Sequence, residues 1–199
     1  MISLQSRMHL DGVTARQITD FLLNPRDDTY RAWWPGTHLQ FHVTRPAPGD
    51  DHVGDLVWMD ELVGSRRVSM AAEVVEAVPG ARVVWRLRRW GVRLPIRVIV
   101  RLEADEAGVT LCHTIAAGWP GPGRILDPLW RHYFSASFAD AMDEHARTEF
   151  RLLCDLLRAD HVEQSARPPS AAERLTGTAP TKVPGRGTCG PADRAHSGV

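Results

Sequence analysis

The chain has 199 residues, 43% of them hydrophobic, with 24 basic and 24 acidic side chains and no formal net charge. Length and apolar content suffice for one domain whose core needs neither disulfide nor metal, and the balanced charge gives no reason to expect a nucleic acid partner. Three cysteines, Cys112, Cys154 and Cys189, have neither an even count nor a ligand spacing, which argues against a disulfide framework or a zinc–thiolate site and fits a reducing cytoplasm.

All but one of the basic residues are arginine, Lys182 being the exception, a bias that reads first as the mark of a GC-rich coding sequence. The opening MISLQSRMHL has no charged leader followed by an apolar run, so no signal peptide is expected. No apolar run approaches the length of a transmembrane helix.

Ile2 to Leu10 alternates apolar and polar residues, the pattern of a half-buried strand. Thr14 followed by Gln17 is a capping-box pattern, and Ile18, Phe21 and Leu22 continue it as a short amphipathic helix. A second short helix is predicted from Pro25 to Trp34, carrying Tyr30, Trp33 and Trp34 and ending before Pro35–Gly36. The period then changes to two. Strands are predicted around Leu39–Val43 and over Asp55–Val63, Arg66–Val78, Arg82–Trp90, Pro95–Glu103 and Val109–Ala117. Gly64–Ser65, Pro79–Gly80, Gly91 and Ala107–Gly108 mark tight turns, so successive strands pair antiparallel.

Asp127 to Arg158 reads as one long helix. Asp127 is placed to cap it and Pro128 suits its first position. Trp130, Phe134, Phe138, Ala141, His145, Leu152 and Leu156 recur at helical spacing as its apolar stripe, with Glu149 on the edge. Residues 159–199 are rich in Pro, Gly, Ala, Ser and Thr and are expected to be disordered, leaving 1–158 as the folded domain.

The order β–α–α–β6–α, the terminal helix of about thirty residues, and the Trp33–Trp34–Pro35–Gly36 end of the second short helix resemble the helix-grip fold of the START/Bet v 1-like (SRPBCC) superfamily. Its bacterial branch includes polyketide cyclases and lipid-transport-like proteins. The resemblance implies an α+β fold in which a curved antiparallel sheet wraps the long helix. It also implies an apolar cavity between them for a small hydrophobic, lipid- or polyketide-like ligand.

Strand parity points Phe41 and Val43, Val68, Met70 and Ala72, Val83, Trp85 and Leu87, Ile96, Val98 and Val100, and Val109, Leu111, His113 and Ile115 inward. In Asp55–Val63 both parities are apolar. Leu56, Trp58 and Leu62 are favoured as inward because Trp58 is the larger side chain, which would turn Asp60 inward too. Phe41, Trp58, Met70, Trp85, His113, Trp130, Phe134, Ser137, Phe138, Ala141 and His145 are the candidate ligand contacts.

His113 and His145, with Glu149 or Asp60 nearby, are the candidate catalytic groups if the protein is an enzyme of the cyclase or dehydratase type. Satisfied structural histidines are the favoured alternative. No metal is expected. His38 and His42 lie four apart in a strand and are assigned to the solvent side, and no H-E-x-x-H or paired C-x-x-C occurs. No cofactor is expected either.

Seven arginines and no acid fall between Arg82 and Arg101, with Trp90 at the hairpin tip. A solvated face balanced by Asp50, Asp51, Asp55 and Glu61 is favoured. Transient contact with an anionic membrane surface through Trp90 is the functional alternative. Trp119 in the GWPGPG loop is either a lid or a packed connector.

Overall fold

Seven alternating runs become seven strands: β1 (Ile2–Asp11), β2 (His38–Arg45), β3 (Leu56–Val63), β4 (Arg66–Val78), β5 (Arg82–Arg89), β6 (Val92–Ala104) and β7 (Gly108–Ala117). The computed structural model describes residues 2–119, 121–128, 130 and 134–166. All neighbours pair antiparallel, in the order β1-β7-β6-β5-β4-β3-β2. The meander β2 to β7 thus closes onto β1, and the two short helices bridge β1 and β2 across opposite edges of the sheet. Register shifts at His38/Gln40, Val43/Arg45, Val74/Glu76 and Arg86/Arg88 bend it.

Helix α1 (Ala15–Leu23) carries the expected capping box: Gln17 N–H donates to Thr14 Oγ1 at 3.2 Å and Thr14 N–H donates to Gln17 Oε1 at 2.8 Å. Helix α2 (Asp27–Trp33) buries Tyr30 and Trp33. The long helix, α3, spans Ala136–Ala166, 31 residues. The order β–α–α–β6–α is the expected one, and the architecture is an α+β helix grip.

The helix differs from its sequence reading at its start. Phe134 and Ser135 interrupt the predicted Asp127–Arg158 helix. Ser135 provides the cap: its Oγ accepts from Phe138 N–H at 3.3 Å and its carbonyl accepts from Ala139 N–H at 2.9 Å. The Asp127 carboxylate instead accepts from Trp119 N–H at 3.0 Å. Phase carried from Trp130 and Phe134 across this break misplaces the buried stripe. Its true members include Met142, His145, Ala146, Phe150, Leu153 and Cys154.

The chain divides into two units, Met1–Gln164 and Ser165–Val199. Residues 159–166, expected to belong to the disordered tail, continue α3 instead, and the rest of that tail, 167–199, lies outside the described residues. Among the described residues no helix is long and apolar enough to cross a membrane.

The inner face of the sheet is a ladder of apolar pairs. Phe41 faces Met59 and Met59 faces Met70; Val57 faces Ala72; Trp85 faces Val98; Val98 faces Ile115. On β3 the favoured parity is reversed. Val57, Met59, Glu61 and Val63 share this inner face, whereas Asp60 is buried on the outer one by Arg67 and Ser69. Both parities of β3 are apolar, so hydrophobicity could not choose. The outward carboxylate is stabilised by the Arg67 fork, with Nε donating to Oδ1 at 2.9 Å.

Candidate functional site

Two adjoining cavities lie between sheet and α3. The wider has a volume of about 590 Å³ and is apolar, with Trp130, Phe134, Phe138 and Met142 on one side and Ile96, Val98 and Ile115 on the other. The narrower, about 80 Å³, reaches deeper, where Glu61, His113, His145 and Glu149 join Tyr30, Trp33 and Phe41. Met70, Leu87, Val98, Ile115 and Met142 wall both. The wide cavity reaches the sheet's outer face where β4–β5 pairing ends at Ala71–Arg88, so that Trp58, Ser69 and Arg88 also line it.

The polar end is assembled from three elements. On β3, alternation turns Glu61 inward with Val57 and Met59. On β2, the register shift between His38 and Gln40 breaks alternation: His38 faces Glu61, Gln40 faces Asp60 and Phe41 faces Met59. His38 therefore shares the inner face with Phe41 and is only 1% exposed, which corrects its assignment to solvent. A bulge of one residue cannot be read from a periodicity of two. On α3, His145 and Glu149 stand one turn apart.

One donor atom from each of His38, Glu61, His145 and Glu149 lies within 4.8 Å of all the others. His38 Nε2 is 3.5 Å from Glu149 Oε1 and 4.0 Å from Glu61 Oε2. His145 Nε2 is 3.7 Å from Glu61 Oε2 and 3.9 Å from Glu149 Oε2. Tyr30 Oη donates to Glu61 Oε2 at 2.6 Å, and its ring stacks on His38 with centroids 3.9 Å apart. Trp33 Nε1 donates to the Glu149 carbonyl at 2.6 Å and so ties α2 to this turn of α3. Trp34 covers His145 at 4.8 Å.

Burial sets the electrostatics. It pushes His38 down to about 4, with Glu61 opposing, and His113 likewise down to about 4. Burial and then the Glu61 charge push Glu149 well above the carboxylate range. Burial also acts to raise Glu61, but His145, Tyr30 and His38 outweigh it and hold that carboxyl below its ordinary value. The Tyr30 phenol is pushed far up by burial, Glu61 and Glu149. The two carboxyls are thus pushed in opposite directions, Glu61 down and Glu149 up.

The structure gathers most of the expected contacts. Phe41, Met70, Trp85, His113 and His145 line the narrow cavity; Trp58, Met70, Trp130, Phe134 and Phe138 line the wide one. Ser137 is exposed and reaches Ser135 Oγ at 3.1 Å. Ala141 packs near Gly64 and lines neither cavity; Met142 takes its place. Asp60, expected beside the histidines, lies on the opposite face of the sheet. Sequence reasoning missed Tyr30 and Glu61 as site residues, the latter having been assigned to surface charge balance.

The arginine-rich hairpin is balanced by acids other than those expected. Glu73 accepts from Arg88 Nη1 at 2.6 Å and from Arg93 Nε at 2.9 Å, and Glu76 pairs with Arg82 at 3.4 Å. Asp55 instead accepts from Ala47 N–H and pairs with His52. Trp90, 89% exposed, carries the Arg89 guanidinium over its ring at 4.7 Å and sits at the rim of the wide cavity. Trp119 stacks on Trp130 at 5.2 Å, the geometry of a packed connector.

No family model and no curated protein matches the sequence. Solved structures do match the fold. A protein of Rhodobacter sphaeroides superposes with a TM-score of 0.53 at 21% identity, covering 79% of this chain and 93% of its own. A protein of Nitrosomonas europaea gives 0.51 at 15% identity, with 81% and 97% covered. One from Thermus thermophilus gives 0.51 at 11%, with 80% and 99% covered. At these identities the likeness concerns the fold alone, and it agrees with the topology of a helix grip.

Proposed function

We propose that this protein binds a small, predominantly apolar molecule, lipid- or polyketide-like, between the sheet and α3. The carrying observation is the wide apolar cavity of about 590 Å³, a size ordinary for small-molecule sites. Its lining of Trp130, Phe134, Phe138, Ile96 and Val98 supplies apolar contact, and the polar cluster beyond the shared wall supplies a few directed groups. Met70 and Met142 stand in that wall, and flexible thioether side chains let a ligand reach from one cavity into the other.

Titration with an apolar fluorophore whose emission rises on burial tests this reading. Saturable binding of one probe per chain, abolished by Val98→Trp in a folded variant, is expected. Equal binding by both proteins would place the probe elsewhere and refute the assignment.

A second reading rests on the pair Glu61 and Glu149, whose environments push their proton affinities in opposite directions. Such a pair can donate and accept a proton at one site. In that reading the protein turns its ligand over, in the manner of a cyclase or dehydratase, with His145 between the two carboxyls. Variants Glu149→Gln and His145→Gln would then keep ligand affinity and lose turnover.

A further inference from the structure

We propose that His38, Glu61, His145 and Glu149 form a binding site for one divalent first-row transition ion, zinc(II) being the simplest fit. The site is independent of whether the wide cavity takes an apolar ligand.

The donors and their geometry carry the inference. Two imidazoles and two carboxylates are a mixed nitrogen–oxygen set, suited to zinc and its neighbours and less to calcium or magnesium, which take oxygen alone. The four cross-distances between histidine nitrogens and carboxylate oxygens are 3.5, 4.0, 3.7 and 3.9 Å. The two Glu149 distances run to different oxygens, Oε1 for His38 and Oε2 for His145, and with one atom from each residue the four donors lie within 4.8 Å of one another. A regular tetrahedron with edges between 3.5 and 4.8 Å has its centre about 2.1–2.9 Å from each corner, against zinc–nitrogen and zinc–carboxylate bonds of roughly 2.0–2.2 Å. A contraction of less than about 1 Å at each donor would close the shell.

The state of the histidines is an independent pointer. His38 is 1% exposed, yet neither of its ring nitrogens makes a hydrogen bond among the described residues. His145 is 5% exposed, and its Nε2, aimed at both carboxylates, makes none either. Buried ring nitrogens left this way are costly, and an ion at the centre would satisfy one on each ring. It would also balance charge, since two carboxylates crowded in an apolar interior repel each other unless one holds a proton, and a dication neutralises both.

The surroundings orient the ligands. The Tyr30 hydroxyl holds Glu61, the Tyr30 ring and Trp34 fix the planes of His38 and His145, and Trp33 anchors the helix carbonyl of Glu149. Glu61, His145 and Glu149 also face the narrow cavity, so a water or an oxygen of a bound molecule could reach the ion from that side.

The test uses the full chain, stripped with chelator and then given Zn²⁺ or Co²⁺ without any organic ligand. One equivalent of Zn²⁺ per chain after desalting, a rise in Tm, and the visible absorption of four- or five-coordinate Co²⁺ are expected. Glu149→Gln, nearly isosteric, should weaken Zn²⁺ binding by more than the roughly 10–100-fold lost when a group that merely supports a ligand is removed. His38→Ala should abolish the Co²⁺ bands. Because His38→Ala removes a buried ring, X-ray absorption of the wild-type complex gives a second reading that needs no variant: two imidazoles in the shell. No uptake of Zn²⁺, Co²⁺, Mn²⁺ or Fe²⁺ by the wild type would overturn the proposal. So would uptake and Co²⁺ bands unchanged in Glu149→Gln.

Discussion

Tyr30 Oη donates to Glu61 Oε2 at 2.6 Å, joining a short connecting helix to the inner face of β3 at the polar end of the narrow cavity. Tyr30 is 1% exposed and Glu61 is 6% exposed, so the bond is shielded from water. Tyr30→Phe removes the donor and keeps the ring stacked on His38. Loss of a hydrogen bond to a buried charged group predicts destabilisation of about 2 kcal/mol. Urea unfolding of metal-stripped protein checks it. A change below about 0.5 kcal/mol would mean that the carboxylate is solvated or neutral.

Ala141 and Val98 separate cavity from core. Val98 lines both cavities, whereas Ala141 packs near Gly64 and lines neither. Val98→Trp should reduce uptake of an apolar probe at least about tenfold, or about 1.4 kcal/mol. Ala141→Trp, if folded, should change it by less than about threefold. The reverse ranking, read from fluorescence titrations, would move the binding site.

His113 predicts a pH dependence in the metal-stripped protein. In the fold it stays neutral until about 4; unfolded, it takes a proton near 6.5. Between these values the unfolded chain holds the extra proton, so stability is complete above the upper value and is lost as pH falls toward the lower one. The slope from this group is at most about 1.4 kcal/mol per pH unit. His113→Phe should flatten the profile of unfolding midpoints in that window only. An unchanged profile would show His113 solvated or paired.

Glu73 holds two arginines that face each other across β5 and β6. Arg88 and Arg93 are register partners, and both donate to the Glu73 carboxylate. Glu73→Gln leaves two like charges opposed. Because the Arg93 side chain is 55% exposed, the cost is moderated to about 1–2 kcal/mol. It should shrink at high salt. Denaturation at low and high ionic strength measures both.

Much of the fold was legible because β7 alternates without a break and the turns between β3 and β7 are marked by glycine. Thr14 and Gln17 announced α1 in the same way. Legibility failed where local signals compete. β3 is apolar on both faces, and its direction goes with contacts between elements: Arg67 and Ser69 to Asp60 on the outer face, Tyr30 to Glu61 on the inner one. His38 was hidden by a bulge. The stripe on α3 was misphased because Ser135 caps a new helix inside what reads as one periodic run.

The candidate site was less legible still, since its donors come from β2, β3 and α3 and only His145 and Glu149 are neighbours along the chain. Tyr30 reads as apolar payload until the fold brings Glu61 to its hydroxyl.

Native mass spectrometry of the protein purified without detergent, followed by denaturing extraction, tests ligand binding most directly. One apolar molecule per wild-type chain, absent from folded Val98→Trp, is expected. An unliganded mass for the wild type, persisting after incubation with a panel of fatty acids and aromatic polyketides, would contradict it.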